Sequence, residues 1–156
     1  GGLVDTPSLK KAVADGIVGR YVTDFPDEEV IKTDKVIAIP HLGASTEESE
    51  ENCAFMAVKQ IMDFLENGNI KNSVNFPECF LDRSGKQRIT ICNLNTPGMI
   101  EKITHFMADN KLNIADMINK SRGNVAYNII DIDGEIADDL VKKIKAAEGV
   151  LGVRVL

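Results

Sequence analysis

Lys35-Val-Ile-Ala-Ile-Pro-His-Leu-Gly-Ala-Ser-Thr46 is the stretch from which the fold of this chain is read. Val36, Ile37 and Ile39 make a short β-branched run, the composition of a strand buried on both faces. Pro40 ends it, since proline has no N–H to give to a sheet ladder. His41 therefore stands where a strand has just stopped, ahead of a glycine loop. Ser45, with Glu48 three residues on, predicts a capping box that opens a long helix. In open α/β sheets the carboxyl ends of strands are where ligands bind, so His41 is a candidate site residue.

Upstream, Thr6-Pro7 predicts a helix start with threonine as cap; Leu9, Ala12 and Val13 share a face, and Gly16 closes it. Ile17 to Thr23 is strand-like, Asp24-Phe25-Pro26-Asp27 is a turn, and an acidic loop through Glu28 and Glu29 leads to Val36. Downstream, Glu47 to Asn67 predicts a helix of about 30 Å at 1.5 Å per residue. Its apolar face (Ala54, Phe55, Val58, Ile61, Met62, Leu65) is broad enough to imply burial against another domain or subunit. Residues 69–87 show no period and predict a linker.

From Arg88 a second unit begins. Arg88 to Asn93 is a strand, and Thr96-Pro97-Gly98 caps a helix with Ile100, Ile103 and Met107 inward. Asn113 to Lys120 and Asn124 to Ile132 predict a hairpin across Arg122-Gly123, Ile136 to Glu148 a helix, and Val150 to Leu156 a last strand. The order β-α-β-β-α-β is the ferredoxin-like arrangement.

Composition narrows the function classes. Eighteen Lys and Arg against 24 Asp and Glu give a formal charge of −6, which offers nothing to nucleic acid or an anionic membrane. Cys53, Cys79 and Cys92 are an odd, scattered set, which predicts neither a disulfide framework nor a metal site and fits a reducing cytoplasm. No apolar run reaches the roughly 18 residues a membrane helix needs. The start of the chain, without Met, reads like the middle of a longer protein.

Three stretches, in this order, carry a resemblance: Gly1-Gly-Leu-Val-Asp5 with Thr23-Asp-Phe-Pro-Asp-Glu28 and Pro40-His-Leu-Gly-Ala-Ser-Thr46; Asn72-Ser-Val-Asn-Phe-Pro77; and Asn93-Leu-Asn-Thr-Pro-Gly98. Together they resemble the D-2-hydroxyacid dehydrogenases, in particular the members that oxidise 3-phosphoglycerate and carry an amino-acid-sensing ACT domain. The resemblance implies an α/β (α+β) chain: the end of a Rossmann-type NAD-binding domain over 1–46, a crossing helix over 47–68, a linker over 69–87, and an ACT domain over 88–156. It implies an enzyme using NAD on 3-phosphoglycerate at the start of L-serine synthesis, cytoplasmic, and oligomeric through the ACT domain and the long helix. His41 matches the family's general acid–base and Glu28 the carboxylate that orients it; imidazole suits the work because it titrates near working pH. The family's substrate arginine would fall just before Gly1, and its glycine-rich dinucleotide turn is not in this sequence. Thr23 stands where the family commonly has an aspartate near the nicotinamide; either Asp24 serves by a one-residue shift or another contact does. Leu42, Gly43 and Ala44 complete the expected cofactor edge. Asn93, Asn95 and Asn113 are the expected effector ligands, with L-serine as effector.

Each of these has a plainer reading. Glu28 between Asp27 and Glu29 is otherwise a solvated acidic turn, His105 a surface residue, and the Asn93–Gly98 turn a strand-to-helix connection. Cys53 and Cys92 are otherwise small apolar fillers. The rival to an enzyme is a non-catalytic amino-acid-binding or dimerisation module.

Overall fold

The structure, a computed structural model, describes residues 3–156; Gly1 and Gly2, which open the first motif, lie outside the described residues. It forms two compact units, one up to Ala54 and one from Phe55 to Leu156.

The first unit contains α1 (Thr6–Ala14), β1 (Tyr21–Thr23), α2 (Glu28–Ile31) and β2 (Val36–Ala38). β1 and β2 pair in parallel, Tyr21 opposite Val36 and Thr23 opposite Ala38. Leu9, Val13 and Val30 are buried, with Val18, Tyr21 and Val36 packed against them. Ile37 and Ile39 are 42% and 48% exposed, so the strand expected to be covered on both sides is covered on one. The reason is local: among the described residues the buried side chains of this small core come from α1 and α2, and the alternate positions of the pleat face away from it. The cap of α1 also differs from expectation. Asp5 accepts from the Ser8 amide at 3.0 Å, placing Thr6 inside the helix, where its hydroxyl donates to Asp27. An aspartate competes well with threonine for that role.

α3 (Glu47–Asn67) is the predicted long helix. Its cap is Thr46, which accepts from the Ser49 amide at 3.2 Å, rather than Ser45. Cys53 is exposed rather than a core filler. No residue of α3 is buried; Phe55, Val58, Ile61 and Leu65 are all more than half exposed.

The second unit is built on β3 (Gln87–Leu94), α4 (Met99–Asp109), β4 (Ile114–Arg122), β5 (Val125–Ile132), α5 (Asp138–Ala146) and β6 (Val150–Val155). The sheet order is β4-β5-β3-β6, every neighbour antiparallel, which is the ferredoxin-like topology expected. One face packs on α4 and α5: Ile89, Ile91, Ile130 and Ile132 meet Ile103, Met107, Leu140 and Ile144. Met99 takes the inward place on α4, and Ile100 is 40% exposed. Because α4 starts from Gly98, its first turn faces the core one residue earlier than the i, i+3, i+7 pattern suggested.

The opposite face of the sheet is covered by the segment after α3. Ile70 and Cys79 bridge each other and pack, with Phe76 and Leu81, on Tyr127 and Ile129. The stretch expected to be a linker thus has little regular structure and an ordered place. Burial also pushes the Cys79 thiol up to about 11, since a thiolate there would be desolvated.

Three side chains of the sheet grip the end of α3. The Arg154 guanidinium donates to the carbonyls of Phe64 and Leu65, Arg88 to that of Asn67, and the Tyr127 hydroxyl to that of Gly68. The Leu65 and Asn67 carbonyls are among those a helix leaves without amide partners at its negative dipole end, while that of Phe64 also accepts from the Gly68 amide at 3.0 Å. Arg88 is itself fully buried and bidentate on Asp131, at 2.6 and 2.8 Å, and the Ser84 amide also donates to that carboxylate.

Candidate functional site

Two clusters of expected site residues are well separated along the chain, and each is described in its own unit. In the first, the parallel pairing of β1 and β2 sets both carboxyl ends on one edge. The Ile39 amide donates to the Thr23 carbonyl at 2.9 Å, so the residues following the two strands lie side by side. There His41 Nδ1 meets Asp24 Oδ2 at 2.7 Å, and the Phe25 ring stands edge-on to the imidazole at 4.7 Å. A carboxylate can only accept, so Nδ1 carries the proton and Nε2 is left as the basic nitrogen. The hydrogen bond from His41 holds the Asp24 carboxyl below its ordinary range. Both side chains remain about half exposed, open to a substrate.

Glu28 is elsewhere. It is the first residue of α2, a helix capped by Asp27, and its carboxylate pairs with Lys32 at 2.8 Å. The structure therefore brings Asp24, not Glu28, to the imidazole. Thr23 accepts from the Phe25 amide through its hydroxyl at 3.2 Å, which shapes the turn beside His41. Leu42, Gly43 and Ala44 form an exposed turn after His41, closed by the Ser45 amide on the Leu42 carbonyl. Among the described residues no three His, Cys, Asp or Glu side chains gather as a metal site.

The second cluster lies where β3 gives way to α4. Asn93 is buried; its Nδ2 donates to the Leu94 carbonyl and its Oδ1 accepts from Asn128, both at 2.7 Å. Asn95 is exposed, and its Nδ2 donates to the Gly123 carbonyl at 3.1 Å. Gly98 caps α4 with φ of 82° and no side-chain cap; the Met99 amide donates to the Thr96 carbonyl at 3.4 Å, which leaves the Ile100 and Glu101 amides to face an anion. Asn113 is exposed and donates to Asp133 at the far end of the sheet, level with the start of β3. One chain joins Asn93 and Asn95 but not Asn113.

A cavity of about 620 Å³ lies between α3 and the outer face of the sheet, walled by Ile61, Phe64, Phe76, Cys92, Tyr127 and Arg154. Sequence reasoning missed it, as it missed the Arg88–Asp131 pair. The one signal for the pair was an arginine at the head of an otherwise apolar strand and an aspartate inside another.

The whole of the chain aligns with proteins named D-3-phosphoglycerate dehydrogenase. Identity is 32% with that of Haemophilus influenzae, 29% with that of Escherichia coli K12 and 30% with that of Dictyostelium discoideum. This chain is a relative of the D-3-phosphoglycerate dehydrogenases. It spans 41% of the length of each of these three relatives. No family model matches it. Among solved structures, the ACT domain from GTP pyrophosphokinase of Chlorobium tepidum aligns with 45% of this chain and 95% of its own, at 22% identity and a TM-score of 0.40.

Proposed function

We propose that this chain is the C-terminal part of an NAD-dependent D-3-phosphoglycerate dehydrogenase, converting 3-phosphoglycerate to 3-phosphohydroxypyruvate at the entry to L-serine synthesis. The observation that carries the reading is the His41–Asp24 pair at the carboxyl ends of two parallel strands, in a chain related over its whole length to enzymes of that name. His41 Nε2 takes the proton of the C2 hydroxyl, and the Asp24 carboxylate on Nδ1 fixes the tautomer and stabilises the imidazolium that results. NAD, when bound, supplies the acceptor for the hydride that leaves C2 in the same step. Thr23, Asp24, Leu42, Gly43 and Ala44 share the edge on which its nicotinamide end would rest; Leu42, Gly43 and Ala44 are exposed, and the Phe25 ring stands against the imidazole. The resemblance assigns that orienting role to Glu28, which in this geometry pairs with Lys32 instead, and mutation separates the two carboxylates. The test is direct: the full-length protein should reduce NAD with 3-phosphoglycerate, and no turnover of that substrate would overturn the assignment.

The 88–156 module is proposed as an amino-acid-sensing, dimerising ACT domain. β4 is a sheet edge with an exposed outer row, the kind of edge proteins pair or cover. If two copies pair antiparallel along β4, the start of one strand lies by the end of the other. Asn113 of one copy then comes beside Arg122 of its neighbour, and so beside Asn95 and the open start of α4. That completes a site for a small zwitterion, L-serine. In sedimentation the 156-residue chain should be a dimer, and L-serine should raise its Tm by linkage, an effect lost in Asn95→Ala. A monomer, or a dimer indifferent to serine, would remove the sensing role.

A further inference from the structure

Three amides form a ladder across the inner face of the sheet. Asn119 on β4 donates to Asn128 Oδ1 at 2.7 Å; Asn128 on β5 donates to Asn93 Oδ1 at 2.7 Å; Asn93 on β3 donates to the Leu94 carbonyl at 2.7 Å. Asn128 and Asn93 are 0% and 1% exposed, whereas Asn119 reaches the surface at the edge strand. The register explains the geometry, since Asn119 faces Asn128 directly and Asn128 lies one step diagonally from Asn93.

The ladder has one direction only. Asn128 Nδ2 also donates to the Ile91 carbonyl at 3.1 Å, and a carbonyl can only accept. Turning the Asn93 amide would set its oxygen against the Leu94 carbonyl and its nitrogen against that of Asn128. Each such buried mismatch is costly. Asn95 is oriented in the same way, its Nδ2 tied to the Gly123 carbonyl, which leaves Oδ1 as its free polar atom. Asn93 sits where the pairing of β3 with β6 shifts register after Cys92, the local irregularity that re-aims a strand's side chains.

We infer that Asn128, with Asn119 behind it, is a positioning residue for the effector site, fixing through Asn93 the turn that presents the Asn95 oxygen to a ligand's ammonium group. The inference rests on the effector reading of the Asn93–Gly98 turn and assigns its parts differently. Asn95 touches the ligand; Asn93, buried with oxygen and nitrogen both engaged, holds the turn. Asn119 also lies on β4, the edge offered to a second copy, so the ladder joins that edge to the site.

The experiment is calorimetric titration of the 156-residue chain with L-serine, wild type against Asn128→Ala and Asn119→Ala, at a temperature where circular dichroism shows each folded. The side-chain amide resonances of Asn93 and Asn95 are followed by NMR in the same samples. A purely structural amide would lower Tm and leave the affinity of the folded protein unchanged. A positioning amide weakens it, by about tenfold for Asn128→Ala and a few-fold for Asn119→Ala, the scale of one hydrogen bond. The Asn95 amide resonances should shift in both variants although neither touches Asn95. Wild-type binding with affinity preserved in the variants overturns the inference and leaves the effector reading standing. No binding by the wild type removes that reading and the inference with it. Should Asn128→Ala fail to fold, Asn119→Ala decides by the same criterion, because its site is exposed and leaves no cavity.

Discussion

The two units hold their polar groups in opposite ways. Up to Ala54 the named side-chain contacts are exposed or nearly so: Asp24 with His41, Glu28 with Lys32, Glu29 with Lys10. From Phe55 onward the principal ones are buried: Arg88 on Asp131, Tyr127 on the Gly68 carbonyl, and the asparagine ladder. Among the described residues three hydrophobic side chains are buried together in the first unit, while ten form the main core of the second. An exposed ion pair is worth little to stability, and its atoms stay free for chemistry. A buried pair, once formed, specifies one arrangement and is costly to break. The first unit thus leaves its polar residues on an exposed edge, the one proposed above as reactive, and the second uses them to lock a sheet to a helix end.

The largest effect expected from the exposed side of this contrast is catalytic. On the proposed function, His41→Ala in the full-length protein should lower kcat about 10²–10⁴-fold, the usual loss of a general acid–base group. Asp24→Asn and Glu28→Gln then discriminate the carboxylates. If the observed geometry is the working one, Asp24→Asn shifts the pH–rate profile and lowers kcat more than Glu28→Gln does. The reverse order would mean that Glu28 meets the imidazole during turnover. Neither change should move Tm appreciably, since both side chains are exposed.

On the buried side, Arg88→Met should destabilise the chain by about 3–5 kcal/mol, because it strands the Asp131 carboxylate away from water. Arg88→Met with Asp131→Leu should recover a large part of that loss in urea or thermal unfolding. A single variant within 1 kcal/mol of wild type would break the contrast between the units. Acid is an independent probe. Burial alone would raise the Asp131 carboxyl, but the hydrogen bonds from Arg88 and Ser84 outweigh it and hold it below its ordinary value of 3.8. A depressed folded value contributes stability that is fully present above the unfolded one and is lost as pH falls below it. Unfolding midpoints should therefore drop from about pH 4 downward in the wild type, with a shallower drop in the double variant.

What could be read in advance follows the range of the interaction. The ferredoxin-like order was legible because each strand and helix of 88–156 carries its own period and turn, and Arg122-Gly123 marks the hairpin. The position of His41 was legible because Pro40 ends a strand. Which carboxylate meets it was not, since that depends on Thr23 pairing with Ala38 rather than with a neighbour. The helix caps slipped by one residue, Thr46 for Ser45 and Asp5 for Thr6, where adjacent residues are both competent caps and only the backbone path chooses. Arg88 and Asp131 lie 43 positions apart, and nothing local announces such a pair.

The smallest effect, and the one that isolates the joint between helix and sheet, is at Gly68. It closes α3 with φ of +72°, a conformation that costs an L side chain about 1–2 kcal/mol. A Cβ there would lie 2.4 Å from Thr90 Cγ2, and 3.3 Å from the Tyr127 hydroxyl that bonds the Gly68 carbonyl. Thr90 is 2% exposed and β-branched, so it has little room to turn away. Gly68→Ala should therefore cost more than the backbone penalty alone. Thr90→Ser removes the closest obstruction, so Gly68→Ala in that background should cost less, approaching the roughly 1–2 kcal/mol of the left-handed backbone, with Leu156 Cδ1 at 3.1 Å and the Tyr127 hydroxyl at 3.3 Å still close. If Gly68→Ala costs the same in both backgrounds, the clash is relieved by movement of α3, and the helix end is held less tightly than its four bonded carbonyls imply. If the cost falls as expected, the helix end and the sheet unfold as one body, and hydrogen exchange of the last turn of α3 should track that of β3 and β5.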